Sequence, residues 1–349
     1  MRKYLLPVLI IITAIAGCKG KNDENLDPNI QGSISIKVPS YMLVSQPVDI
    51  KLNINITKPE SDISYEFSMP GFSIETAINS TGIVSGLIGP DSPGKYTVTA
   101  AATHDGYITL NALQQTVVVL DISSQDSYSG YQNGENIITD SRDNTQYHYT
   151  NIGVLDWFTS NLSWEGAGQS VDSVKALDYI YGRLYTWEEA TGGLSGGGLG
   201  GGPRGVCPLG WAIPTNEDWI DFASALAGAP LTYNEVWTGL GDKASAEVRV
   251  DGDRLWVIYS PDNRHINTHK WNGVPAGNFA KTTTDPGNVP DRYVFLNRGR
   301  SGMWWSATES NSDMASYRYI DDLFSDFPAE NSASKKNTGV SVRCVRIHP

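Results

Sequence analysis

Positive charge is scarce in this chain of 349 residues: 26 Lys and Arg stand against 38 Asp and Glu, a net charge of -12. That balance excludes an electrostatic hold on nucleic acid or on anionic lipid. Charged residues make up only 18% of the chain, while glycine is abundant at 35. Together these favour strands, turns and long loops over helical bundles. Cysteine is limited to Cys18, Cys207 and Cys344. Tryptophan is absent before Trp157, and all ten lie between Trp157 and Trp305. The length suits about two domains, and the tryptophan asymmetry assigns binding to the second.

The N-terminus reads as a targeting segment, to be left out of the fold. Arg2 and Lys3 precede an apolar run, Leu5 to Ala16, too short for a stable helical anchor across a bilayer. Ile15-Ala16-Gly17-Cys18 resembles the lipobox of bacterial lipoproteins. The resemblance implies that residues 1–17 are removed and Cys18 is lipidated, each buried methylene adding roughly 0.8 kcal/mol to the anchor. Lys19-Gly20-Lys21-Asn22-Asp23-Glu24 is similar to the charged export tag of Bacteroidota surface lipoproteins. It implies an outer-membrane location facing the cell exterior, with residues 18–32 as a polar tether. With Cys18 on lipid, Cys207 and Cys344 are an even pair in an exported chain, which reads as a disulfide. Two buried free thiols are the alternative.

Residues 33–121 run strand after strand. Val48, Ile50, Leu52, Ile54 and Ile56 alternate with polar residues, as do Tyr96, Val98 and Ala100, and period two with one apolar face predicts half-buried strands. Turn signals at Lys58-Pro59, Pro70-Gly71, Gly89-Pro90 and Ser92-Pro93-Gly94 separate them. Short strands at this spacing with no helical pattern predict an all-β, immunoglobulin-like sandwich. Pro93 to Ala100 is similar to the penultimate strand of many bacterial immunoglobulin-like surface domains. No residues here suggest chemistry, so the domain reads as a spacer. Residues 122–135, rich in Ser, Asp, Gly, Asn and Tyr, read as a linker.

The second domain, 136–349, opens with a hairpin signal, Ile137-Ile138-Thr139-Asp140 and then Asp143-Asn144-Thr145-Gln146-Tyr147. Around Cys207-Pro208-Leu209-Gly210-Trp211, Pro214 stops a short extended run and Thr215 is placed to cap a helix. Glu217 and Asp218 in its first turn suit the positive helix end. Trp219, Phe222, Ala223 and Leu226 then make one apolar face. Five segments in this order resemble the Fibrobacter succinogenes major paralogous domain. They are the hairpin with Ile152-Gly153 and Trp157 to Asn161-Leu162; Gly182-Arg183-Leu184-Tyr185-Thr186-Trp187; Cys207 to Trp211 with Pro214 and Trp219; Pro275-Ala276-Gly277; and Trp305-Ser306 with Ser341-Val342-Arg343-Cys344-Val345. Phe158-Thr159-Ser160 replaces the family's Met-Ala-Glu, and Ala212 a basic or polar residue; both changes are expected to alter the surface. The family is similar to the C-type lectin-like fold. This implies a mixed α+β domain with adjacent ends, which a Cys207–Cys344 bond fits, and long loops on one side. The expected whole is multidomain: an immunoglobulin-like sandwich followed by a lectin-like domain.

Gly193-Leu194-Ser195-Gly196-Gly197 matches a nucleophile pattern but lacks the flanking strand and helix that would expose the serine. The same glycines lack the Lys-Ser/Thr pair of a phosphate loop. His265 and His269 have metal-ligand spacing in a segment that makes a poor helix, with no third ligand. Asp140, Asp143 and Asn144 offer oxygens for calcium, yet hairpin turns need the same residues. Asp262, Asn263, Asn272 and Asp285 are further calcium candidates, though Trp271-Asn272-Gly273 lacks the acid of the sugar-binding lectin motif. No spacing selects a pair of carboxylates for glycoside cleavage, so no enzyme and no cofactor is expected; calcium stays open as the alternative.

Trp157, Trp187, Trp211, Trp219 and Trp305 stand in the family pattern and are expected in the core. Trp164, Trp237, Trp256 and Trp271 stand among polar, loop-like residues. Exposed indoles stack on sugar rings while polar neighbours bind the hydroxyls; packing under loops is the alternative for these tryptophans. The expected glycan site is therefore Trp237, Trp256 and Trp271 with Tyr233, Tyr259, Asn263 and Arg264, in the loops from Tyr233 to Phe279. The expected function is non-catalytic binding of a polysaccharide at the cell surface. The alternatives are an adhesive or structural part that recognises a protein within a surface complex, and a glycan-active enzyme.

Overall fold

A computed structural model describes residues 9–13, 29–60, 62–74, 83–122, 128–233, 235–257, 265–282, 291–328 and 331–349. The expected lipidation site Cys18 and the loop residues Tyr259, Asp262, Asn263, Arg264 and Asp285 lie outside them. The chain divides into two compact units, Met1–Tyr128 and Ser129–Pro349. The division falls inside the Ser- and Asp-rich stretch 122–135. Among the described residues no helix is long and apolar enough to cross a membrane.

The first unit is all β. One sheet runs in the order Leu9–Thr13, Ser64–Ser68, Gly94–Thr103, Gln115–Leu120, Tyr41–Leu43, with Leu110–Asn111 paired beside Gly94–Thr103. Within it Tyr41–Leu43 is parallel to Gln115–Leu120 and the other pairs are antiparallel. The second sheet runs Gln31–Lys37, Pro47–Lys58, Ile83–Ile88, Ser73–Ile74. Alternation does what period two requires. Val48, Ile50 and Leu52 of one sheet and Phe67, Val98, Ala100, Val117 and Val119 of the other are buried in a single core. Ile54 and Ile56, past the middle of their long strand, are only half-buried. The apolar N-terminal run contributes backbone pairing, Leu9–Thr13 lying antiparallel to Ser64–Ser68.

The second unit is mixed. Asn136–Thr139, Gln146–Ile152, Leu155–Phe158 and the C-terminal strand Val345–Ile347 form one antiparallel sheet, which joins the two ends of the unit. A larger sheet runs Gln169–Ser170, Arg183–Thr186, Thr338–Ser341, Ser301–Glu309, Met314–Asp321, Asn331–Ser334, and the hairpin Asn278–Thr282/Arg292–Leu296 also pairs on Thr338–Ser341. Helices among the described residues are short: α1 (Asp178–Tyr181), α2 (Trp187–Thr191), α3 (Asn216–Ala227) and α4 (Leu240–Ala244), with two 3-10 turns before α1. The expected cap of α3 is present. Thr215 Oγ1 accepts from the Asp218 N–H, the Asp218 carboxylate accepts from the Thr215 N–H, and Gly228 closes the helix in the left-handed conformation. Trp219, Phe222, Ala223 and Leu226 are buried.

Cys207 and Cys344 are bonded, both fully buried, with Cα atoms 5.8 Å apart. The disulfide lies in a cluster with Phe158, Trp187, Trp211 and Trp305. Phe158, at a departure from the family pattern, is not a surface residue. It stacks on Tyr147 at 4.8 Å and tilts against Trp211 at 4.4 Å, so this substitution was absorbed by the core.

Candidate functional site

The tryptophans expected to form a sugar platform do not reach solvent. Trp237, Trp256, Trp271 and Tyr233 are 1%, 2%, 0% and 7% exposed. Trp271 touches Trp157, Trp219, Phe222, Trp304 and Phe327 at the centre of the unit. Trp237 lies under the Arg318 guanidinium at 3.6 Å, and Arg318 also covers Tyr233 at 4.0 Å. Trp256 stacks on His265 at 4.9 Å and donates to the Ala246 carbonyl at 3.1 Å. Around Trp271 the polar sequence neighbours Asn267 and Asn272 are themselves internal braces. Asn272 is 1% exposed; its amide donates to the carbonyls of Gln132, Thr159 and Lys270, and its Oδ1 accepts from Gln132 N–H and from Asn267 Nδ2.

The same holds for the other motifs. Asp140 is closed by Arg142, whose Nη2 lies at 2.6 Å, and Asp143 Oδ1 accepts the Thr145 N–H at 2.9 Å; both serve the hairpin turn, where Asn144 has φ 61. Arg142 holds the Asp140 carboxyl below its usual range against the upward push of burial. His265 bonds Ser245 Oγ through Nδ1 at 2.8 Å, while His269 Nδ1 meets Thr268 Oγ1 at 2.9 Å. Among the described residues no three His, Cys, Asp or Glu side chains gather as a metal would need. In the glycine-rich stretch, Ser195 Oγ donates to the Ala307 carbonyl, and the amides of Gly198 and Gly200 donate to Glu217 and Asp218 at the start of α3. The protein's own carboxylates occupy the place an anion would take.

The family-pattern residues converge on Asn161. Its Nδ2 donates to the Tyr181 carbonyl at 2.8 Å and to Ser341 Oγ at 3.1 Å; its Oδ1 accepts from Trp304 Nε1 at 2.8 Å and Arg343 Nε at 3.0 Å. Arg343 is fully buried and also donates to the carbonyls of Phe158, Trp271 and Asn272. Burial pulls its pKa down to about 9. Gly182, at φ 68, presses on this knot: a side-chain carbon there would lie 2.5 Å from Asn161 Cβ. The motif is thus a packed structural knot.

A model of the Fibrobacter succinogenes major domain family matches residues 150–346, more than half of the chain. The chain belongs to the Fibrobacter succinogenes major domain family. Comparison with curated proteins and with solved structures finds no match. Beside the Asn161 knot lies a feature of a different kind, lined partly by residues that precede the family match. The chain leaving Asn161-Leu162, the turn of the first hairpin and α1 together enclose a cavity of about 330 Å³.

Trp164 and Tyr179 are its aromatic walls; Trp164 is half-buried and Tyr179 is 49% exposed. Trp164, unlike Trp237, Trp256 and Trp271, is not fully buried and lines a hollow. It is held firmly. Arg142 lies over its ring at 4.1 Å, its carbonyl accepts from Tyr185 Oη at 2.9 Å, and a side-chain carbon at Gly166 would come within 2.0 Å of Cζ2. Thr145, Ser163, Asp143, Glu165 and Asp178 supply the polar lining. Asp178, only 6% exposed, accepts from Arg183 Nη1 at 2.7 Å and Ser170 Oγ at 3.0 Å, both through Oδ2. Its Oδ1 accepts no hydrogen bond from any described residue. Burial raises the Asp178 carboxyl above its usual range, against the pull of Arg183 and Ser170.

A second hollow of about 350 Å³, lined by Glu135, Asn136, Asn151, Thr268, His269 and Lys270 among others, includes part of the loop region favoured from sequence, but it has no aromatic wall. Sequence reasoning passed over Tyr179, Glu165, Ser163, Thr145 and Asp178. The available signal was an indole followed at once by Glu165-Gly166, directly after the Asn161-Leu162 motif.

Proposed function

We propose that this chain is a lipid-anchored outer-membrane protein, exposed on the cell exterior, that binds glycan without cleaving it. In this reading the first unit is an immunoglobulin-like spacer, and the family domain, lectin-like in architecture, carries the binding site. The observation that carries the proposal is the Trp164–Tyr179 cavity. Two aromatic walls offer apolar faces to a sugar ring, and hydroxyl and carboxylate groups around them suit its hydroxyls. Weak single-site affinity would be raised by many copies on one surface. Affinity electrophoresis of the full chain against plant and host polysaccharides tests this. Retardation by at least one glycan, lost in Trp164→Ala with the fold intact, is the expected result; no retardation of the wild type by any glycan overturns it.

A second reading, recognition of a protein partner, draws support from exposed apolar side chains. Val236, Leu323 and Phe324 are 51%, 44% and 61% exposed beside the bridge between Trp237 and Phe327. Apolar groups kept in water are commonly held for an interface. Glutamate in place of Val236 or Leu323 would then abolish partner capture while leaving glycan retardation unchanged.

A further inference from the structure

The face of α3 that the core does not use is not a plain polar surface. Trp219, Phe222, Ala223 and Leu226 are buried, and Glu217, Ile220, Asp221 and Ser224 form a stripe on the other side. Along this stripe runs an open groove of about 570 Å³. Ile220, half-buried, lines it from the helix and also packs against the core. Ala229 and Pro230 line it from beyond the Gly228 turn, and Leu199, 47% exposed, lines it from the glycine-rich stretch.

This lining is held in place. The Gly198 N–H donates to Glu217 at 3.0 Å and the Gly200 N–H to Asp218 at 2.6 Å, which fixes Leu199 between two bonded amides. Aliphatic surface continues beyond the groove. Val154, 48% exposed, donates its N–H to Asp221 Oδ2 at 2.9 Å. Ile347 is 59% exposed, and a side-chain carbon at Gly200 would lie 2.6 Å from its Cγ1. Partly exposed aliphatics from four separate segments, gathered around one helix face, mark an interaction surface.

Charge decides what fits it. Among the described residues, Glu217 and Asp221 are the charged side chains that line the groove, and no Lys, Arg or His does. Each is bonded to a neutral backbone amide, of Gly198 or Val154, and neither forms an ion pair with a described residue. No aromatic ring lines the groove, so a sugar has nothing to stack on. Two carboxylates repel nucleic acid and anionic lipid. A purely apolar occupant strips water from both carboxylates and returns no donor. A second copy seated groove on groove brings the same two carboxylates against the first pair. A polypeptide answers both features. An aliphatic side chain covers Ile220 and Leu199, and flanking Lys or Arg side chains make charge-assisted hydrogen bonds to Glu217 and Asp221.

We infer that the α3 groove docks a segment of a partner protein in which an aliphatic side chain is flanked by lysine or arginine. The inference is independent of the glycan reading, because no residue lines both this groove and the Trp164 cavity.

Selection of short random peptides displayed on phage, with the full chain as bait, tests it, followed by fluorescence anisotropy of the enriched peptides. The expected result is enrichment of aliphatic residues beside Lys or Arg, with binding that weakens as salt is raised. Leu199→Lys, an exposed substitution, should weaken the binding about tenfold or more. Glu217→Gln with Asp221→Asn keeps an acceptor for each backbone amide and removes both charges; it should weaken binding about tenfold and flatten the salt dependence. Trp164→Ala should bind the peptides as the wild type does. Enrichment no greater on the wild type than on Leu199→Lys, or enrichment of acidic or uncharged sequences, overturns the inference. Loss of peptide binding in Trp164→Ala also overturns it, by moving the peptide to the cavity. So does sedimentation of the wild type as a dimer that Leu199→Lys dissolves, which would make a second copy the occupant.

Discussion

Residues 29–122 and residues 129–349 fill their interiors by different means. The first unit uses the strand period: Val48, Ile50 and Leu52 point inward because their polar neighbours point outward, and no tryptophan is needed. The second unit contains all ten tryptophans, and several of them, Trp237, Trp256 and Trp271 among them, hang from irregular segments. Irregular backbone carries unpaired N–H and C=O groups into the interior, and these must be satisfied. Asn161, Asn272 and Arg343 do this, each bonding backbone carbonyls or side chains from several segments. A core made of indoles on loops therefore depends on a few buried polar braces, whereas a core made of alternating strands satisfies its own backbone through the sheets.

The sharpest way to break this contrast is the disulfide. It spans 137 residues of the second unit, for which chain entropy predicts a contribution of about 5 kcal/mol. Cys207→Ser with Cys344→Ser should lower the unfolding free energy, read from denaturant titration of tryptophan fluorescence, by close to that amount. Glycan retardation of the variant still folded should persist.

The next effect in size comes from the braces. Arg343→Met removes the donor that the Phe158, Trp271 and Asn272 carbonyls share and one of the two donors to Asn161 Oδ1, a loss of about 3–5 kcal/mol. Equilibrium unfolding followed by fluorescence measures it. A loss below about 1 kcal/mol would mean that this core does not need its polar braces.

A smaller effect depends on pH. Burial lowers the His265 pKa to about 4, against about 6.5 in an unfolded chain. Above about 6.5 the ring is neutral in both states and stability is full. As pH falls towards 4 the unfolded chain takes a proton that the folded ring refuses, and about 3 kcal/mol is lost. The carboxyls of Asp178, Asp218 and Asp221 are raised by burial and act with the opposite sign. The difference between wild type and His265→Gln isolates the histidine: it should shrink as pH falls through this window.

Ile50→Val, in the strand-built core, should cost the least, about 1 kcal/mol. It should move the far-UV transition of the first unit and leave tryptophan fluorescence unchanged, since every indole lies beyond residue 156.

The strands of the first unit, the capped helix α3, the hairpin turn at Asp140 to Thr145 and the cysteine pair were all legible in the chain. Each rests on neighbours within a few residues, or on setting Cys18 aside as the expected lipidation site, which leaves a single cysteine pair. The core role of Trp271 was not legible, because its packing partners stretch from Trp157 to Phe327. Asn272 looked like a loop residue for the same reason: its amide reaches Gln132, 140 positions away. The cavity joins segments only tens of residues apart, yet it forms because Asn161 and Gly182 bring the 163–166 stretch against α1.

Period, capping and turn chemistry are local, so they can be read from the order of residues and were enough to specify the strands of the first unit, helix α3 and the first hairpin turn, while the family frame came from motifs that resemble the family. Which indoles are covered, which asparagines are braces and which tryptophan opens on a hollow depend on contacts across a hundred residues or more. Those were decided only when the loops closed over the knot of Asn161, Trp304 and Arg343, leaving Trp164 half-buried at the wall of a cavity.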